Sequence, residues 1–103
     1  MKYLTLIPDY TGSCIQGINH DRIEIDELGL PQDLVHKIKL WHALYRKIIP
    51  LSGEQRLEKI KLIEELDAQG LHLAREISKL IPGEAKVRYY SEGKYQYIDD
   101  VGL

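Results

Sequence analysis

Between Ser52 and Pro82 the sequence holds one apolar stripe, Leu57, Ile60, Ile63, Leu66, Gly70, Leu73, Ile77 and Leu80, recurring every three or four residues. That is the period of one face of an α-helix, and a lone helix with such a face is unstable in water. The rest of the chain therefore has to supply an apolar surface for it. Ser52 followed by Gln55 reads as a capping box that starts this helix, and Pro82-Gly83 closes it. Gly70 interrupts the stripe at a cost of about 1 kcal/mol in helix propensity. Either its missing side chain admits a close neighbour from the first helix or the sheet, or it kinks the helix into two.

Upstream, Pro31 and Asp33 suit a helix start, and Leu34, Ile38, Trp41, Tyr45 and Ile48 continue with helical spacing until Pro50. Residues 2–7 alternate with the two-residue period of a strand that Pro8 ends, whereas 9–30 form a long connection with one short strand expected at 22–26. Residues 85–98 are β-prone on both sides of Glu92-Gly93, which predicts a hairpin. A two-residue turn would set Tyr90 opposite Tyr95, Arg88 opposite Tyr97 and Val87 opposite Ile98. The element order is β-α-α-β-β, so the expected class is α+β, with a small antiparallel sheet of about three strands packed on two helices. Residues 1–103 are expected to form a single domain, since two cores of half this size would each be marginal.

Such a sheet buries Leu4, Leu6, Val87 and Ile98 against the helices and leaves Tyr3, Thr5, Ile7, Arg88, Tyr90, Tyr95 and Tyr97 on its other face. That face is too apolar to stand without a cover. The 9–30 segment, with Tyr10, Ile15, Ile18 and Ile23 to bury, is expected to fold over it; a partner is the alternative.

The single cysteine, Cys14, permits no internal disulfide, and no apolar run is long enough for a signal peptide or a membrane span, so a cytoplasmic protein is expected. A lone cysteine without a neighbouring histidine signature reads as a small buried hydrophobe. His20, His36, His42 and His72 lack the spacing that places two ligands on one helix face, so no metal or cofactor is expected. His36 and His42 are placed on the polar side of the first helix, and His72 off the stripe of the second. Gly12 and Gly17 do not form a phosphate-binding loop, and no nucleophile–base pair or paired-carboxylate motif is present. A non-enzymatic protein that works through a surface is the reading that remains.

Two surfaces qualify. The formal net charge is −2, but residues 1–30 carry 2 Lys and Arg against 5 Asp and Glu, and residues 31–51 carry 4 against 1. The acidic stretch Asp21, Glu24, Asp26, Glu27 could pair with a basic partner. The tyrosine-rich hairpin has the side chains favoured in protein interfaces, and equally those of a platform for stacking bases.

Trp41 and Tyr45 on one helix, Glu65-Leu66-Asp67-Ala68-Gln69-Gly70-Leu71-His72-Leu73-Ala74 on the next, and Val87-Arg88-Tyr89-Tyr90-Ser91-Glu92-Gly93 after it form a pattern. It resembles small bacterial immunity proteins encoded beside polymorphic and contact-dependent growth-inhibition toxins, over about residues 30–93. The resemblance implies a cytoplasmic protein that binds one cognate toxin domain, frequently a nuclease, one to one, and blocks its active or substrate-binding surface. It carries over no functional residue. Partner contacts are expected from Glu24, Asp26 and Glu27 in the acidic loop and from Tyr90, Glu92 and Tyr95 in the hairpin, with no catalytic, cofactor or metal residues. A small RNA-binding module using the tyrosine face with Lys86, Arg88 and Lys94 is the alternative, disfavoured by the acidic balance.

Overall fold

The structure, a computed structural model, describes residues 2–9, 13–19 and 21–98. Tyr10, Gly12 and His20 lie outside the described residues. Strand β1 (Lys2–Leu6) is followed by two short strands, β2 (Ile15–Gln16) and β3 (Arg22–Ile23), and a 3-10 turn at Ile25–Glu27. Three helices come next, α1 (Gln32–Tyr45), α2 (Gly53–Glu58) and α3 (Ile60–Leu80), and then strands β4 (Ala85–Ser91) and β5 (Gln96–Ile98).

The expected α+β class holds, but the sheet has five strands in the order β3-β2-β1-β4-β5 rather than three, and it is mixed rather than antiparallel. β1 runs parallel to β4, from Lys2 opposite Ala85 to Leu6 opposite Tyr89. Parallel neighbours need a crossover connection, and here the helices provide it. The described part of the 9–30 segment, residues 9, 13–19 and 21–30, does not fold over the outer face of the sheet. It extends the edge beyond β1, with Leu6 opposite Ile15 and Ile15 opposite Ile23. Ile15 therefore points to the helix side and is fully buried there, while Ile18 is 71% exposed. A row Ile23-Ile15-Leu6-Tyr89-Ile98 crosses all five strands on the inner face.

The helix expected from Ser52 to Pro82 is divided, and the break falls at Lys59 (φ −103°, ψ 16°), not at Gly70. Geometry explains it. Leu57 and Leu66 are nine residues apart, about two and a half turns, so one straight helix sets them on opposite faces. Leu57 and Ile60 are exposed, Ile63 and Leu66 are buried, and Arg56 takes the inward position on α2. The capping box forms as expected, with Ser52 Oγ accepting from Gln55 N and Gln55 Oε1 accepting from Ser52 N. At Gly70 the close-approach reading holds: a Cβ there would collide with the Tyr89 ring, so the missing side chain lets β4 reach α3.

Trp41 is a core residue whose Nε1 donates to the Leu66 carbonyl at 2.8 Å, joining α1 to α3. Cys14 is buried, and burial pushes its thiol up to about 12. His42 corrects an expectation. It follows Ile38 by one turn, on the flank where residues 8–9 pack, and it is buried with Nε2 at 2.7 Å from the Asp9 carbonyl and 3.1 Å from the Asp9 amide. His36 and His72 are exposed, as expected.

Candidate partner-binding surface

The surface begins with its buried support. Asp67 lies one turn beyond Ile63 on the inward face of α3, and the residue is 3% exposed. An ion so placed is costly unless its lone pairs are filled. Three hydroxyls fill them: Tyr45 donates to Oδ1 at 2.8 Å, Tyr89 to Oδ1 at 2.6 Å and Ser91 to Oδ2 at 2.8 Å. Burial raises the hydroxyl pKa of Tyr45 to about 12 and that of Tyr89 further, so both keep their protons and remain donors.

This network reaches outward to the hairpin tip, residues 92–95. Tyr45 Oη accepts from the Gly93 amide at 2.8 Å, and Ser91 Oγ accepts from the Lys94 amide at 3.1 Å. From the side, buried Arg56 donates Nη1 to the Glu92 carbonyl at 2.6 Å, Nη2 to the Ile49 carbonyl at 2.8 Å and Nε to the Leu51 carbonyl at 3.1 Å. The same guanidinium lies 4.4 Å from the centre of the Tyr95 ring. Tyr95 has φ 55°, the left-handed region that a bulky side chain rarely adopts, and is 63% exposed. Burial raises the Glu92 carboxyl pKa, an effect that the Arg56 charge opposes.

The hairpin register differs from the two-residue turn. Tyr89 pairs with Ile98, Tyr90 with Tyr97 and Ser91 with Gln96, so four residues form the loop and Tyr95 belongs to it rather than to the strand. The difference is a slip of two positions, which leaves each strand residue on its expected face. The tip selects this register because Gly93 packs against Tyr45 Oη and Ile63, where a Cβ would intrude.

Beyond the tip, the outer face of the sheet exposes Tyr3, Lys86, Arg88 and Tyr97. Tyr90 meets Tyr97 edge-on, with ring centres 5.1 Å apart, and Arg88 lies over the Tyr97 ring at 3.8 Å. Tyr3 is 51% exposed on the same face. The strands' outward positions include three cations, Arg22, Lys86 and Arg88, and no carboxylate.

The six expected contact residues thus fall in two places. Tyr90, Glu92 and Tyr95 come together on and beside the hairpin tip. Glu24, Asp26 and Glu27 are exposed around the 3-10 turn after β3, the opposite edge of the sheet, four strand spacings or about 19 Å from β5. There Asp26 pairs with Lys39 of α1 at 3.1 Å, while Glu24 and Glu27 form no ion pair among the described residues. Sequence reasoning missed Asp67 and Arg56. Asp67 left a signal, since a carboxylate at the fourth position after Ile63 and three before Gly70 is on the apolar stripe. Arg56 left none, because its partners are carbonyls that only the fold brings near.

Fold and surface together define a small α+β protein whose exposed aromatic and ionic groups stand on an internally hydrogen-bonded support. The family model described as Serratia CdiI immunity protein-like matches residues 2–92. The chain belongs to that family, the immunity proteins of contact-dependent growth inhibition. None of the curated proteins matches it. No helix among the described residues is long and apolar enough to cross a membrane.

Proposed function

We propose that this chain neutralises a cognate toxin domain in the cytoplasm by forming a one-to-one complex that covers the toxin's active or substrate-binding surface, and that the toxin is a nuclease. The observation that carries the reading is the hairpin tip. Tyr95 is held in a strained backbone conformation, exposed, and braced by Arg56 and the Asp67 network. Strain of this kind costs on the order of 1–3 kcal/mol and persists where the surroundings enforce it, as at binding sites. A braced tip loses little entropy on docking, which favours affinity. Glu24 and Glu27 on the other edge supply the charge that suits the basic, phosphate-binding surface of a nuclease.

The alternative of an RNA-stacking face is the weaker reading, because Arg88 already occupies one face of Tyr97 and Arg56 one face of Tyr95. The test is copurification with the toxin domain encoded by the adjacent open reading frame, followed by sizing, nuclease assay and growth protection. Wild type is expected to give a one-to-one complex that suppresses nucleic-acid cleavage. Tyr95→Gly relieves the strained φ and removes the anchor, so it should bind at least about tenfold more weakly with stability within about 1 kcal/mol of wild type. A Tyr95→Gly complex as tight as wild type refutes the role of the tip. Unchanged affinity after Glu24→Gln with Glu27→Gln refutes that of the acidic edge.

A further inference from the structure

The outer face of the sheet carries a charge opposite to that of the whole molecule. The chain is −2 overall, yet Lys86 and Arg88 stand side by side on β4 with Arg22 further along the face, and among the described residues no carboxylate occupies an outward strand position. Between them and the β2–β3 turn is a cleft of about 390 Å³ lined on one side by Lys86, Arg88 and Tyr97 and on the other by Tyr3 and Ile18. One wall is cationic and the other apolar, with Ile18 71% and Tyr3 51% exposed.

Arg88 is also pre-positioned. Its guanidinium lies 3.8 Å above the Tyr97 ring, which Tyr90 holds edge-on. A stacked guanidinium keeps its in-plane N–H groups directed outward, the arrangement that pairs bidentately with a carboxylate. Much of the side-chain entropy that such a pairing costs is already lost in the free protein.

From this we infer that the cleft between Arg88 and Tyr3 is a docking site for a carboxylate-bearing segment of the toxin domain, Arg88 pairing with an Asp or Glu while an adjacent apolar side chain packs on Tyr3 and Ile18. The inference rests on the immunity reading and adds a contact whose sign is opposite to that of the acidic edge. A polyanion suits the cleft less well. Binding to nucleic acid gains from neutralising many phosphates at once, and three cations on an acidic protein neutralise few. The ring that would stack a base has Arg88 on it.

The experiment uses the full chain and the toxin domain from the adjacent open reading frame, with affinities by titration calorimetry and each variant's fold checked by thermal unfolding. Arg88→Gln is expected to weaken the complex at least about tenfold and Arg88→Glu about 100-fold or more, with unfolding unchanged. Carbodiimide, which joins an amine to a carboxylate without a spacer, should couple Lys86 to a toxin Asp or Glu. Lys86→Arg should abolish that product while retaining affinity, since a guanidinium keeps the charge and does not couple. If wild type binds the toxin but Arg88→Glu binds as tightly, the docking site is wrong and the immunity reading survives. If wild type does not bind, both fall. Salt-sensitive binding of an oligouridine that Arg88→Glu abolishes would overturn the carboxylate assignment in favour of a phosphate ligand.

Discussion

Gly70 offers the sharpest test of how the helices and the sheet are fitted together, because two opposing effects of known size meet at one atom. Replacing an interior helical glycine by alanine ordinarily stabilises a helix by about 1 kcal/mol. In this protein the new Cβ would lie 2.8 Å from Tyr89 Oη and closer still to the ring carbons. The ring cannot easily retreat. Its hydroxyl is fixed on Asp67 Oδ1, the Trp41 ring centre is 5.9 Å away, and the residue is 1% exposed. Overpacking a core costs about 1–3 kcal/mol, and pulling Tyr89 off a buried carboxylate costs about 1.5–3 kcal/mol more.

Gly70→Ala should therefore lose about 1.5–5 kcal/mol net, despite the better helix former. For a chain of this length that lowers the melting temperature by about 6 °C or more. Urea unfolding at constant m-value measures the loss, and a cycle with Tyr89→Leu identifies its source. With the ring removed, Gly70→Ala should become neutral or stabilising. An increase of about 1 kcal/mol in the Gly70→Ala single variant would refute the close approach and return Gly70 to the status of an ordinary weak point.

Further outcomes follow from the buried groups and the cap. Burial lowers the His42 pKa below its ordinary value near 6.5, while the Asp9 backbone contact opposes this. The unfolded chain accordingly takes up the proton first. Stability from this site is complete above about pH 6.5 and is lost as pH falls through the folded pKa. His42→Gln should flatten the stability profile on the acid side of about pH 6.5, and parallel wild-type and variant profiles would contradict it. With its thiol pushed up to about 12 by burial, Cys14 should react with a disulfide reagent at pH 8 only as fast as the fold opens, and at once in denaturant. Immediate reaction of the native protein would place the thiol at the surface. Ser52→Ala removes the capping-box acceptor and should cost about 1 kcal/mol by thermal unfolding, whereas no change would mean that α2 does not contribute to stability.

How much was legible in the sequence depended on the range of the interaction. Local patterns held: the alternation in β1, the Ser52–Gln55 cap, Trp41 in the core register and the β-prone runs of the hairpin. What failed was set at a distance. The pairing of β1 with β4 spans 83 residues, and nothing in Lys2–Leu6 distinguishes a parallel partner from an antiparallel one. β2 and β3 have two residues each, too few for alternation to show. The hairpin register was decided by Gly93 against Tyr45, across 48 residues, and no turn preference could announce it. For the candidate surface, Tyr90, Glu92 and Tyr95 were identifiable by type. Their support was not, because a carboxylate and a guanidinium in the core look like surface residues until their partners are in place.

That support has a direction, and the direction follows from Asp67. An ionised carboxylate only accepts, so the single protons of Tyr45 and Ser91 must both point inward to it. Neither hydroxyl has a proton left for the other across their 3.2 Å contact, and both oxygens present lone pairs outward. Those lone pairs receive the Gly93 and Lys94 amides, so a buried charge fixes the polarity by which the exposed tip is held. Asp67→Asn keeps the shape and reverses part of this order. Placed toward Ser91, the new amide donates and Ser91 Oγ accepts, so the Ser91 proton turns to Tyr45 Oη at 3.2 Å and competes there with the Gly93 amide. The expected result is a tip that opens more readily than the rest of the fold. Amide exchange at Gly93 or Lys94 should quicken by more than at Tyr89 in β4, and affinity for the toxin should fall by more than the loss of global stability accounts for. Uniform acceleration of exchange along β4 and the tip would show instead that Asp67 only stabilises the core, with no separate hold on the tip.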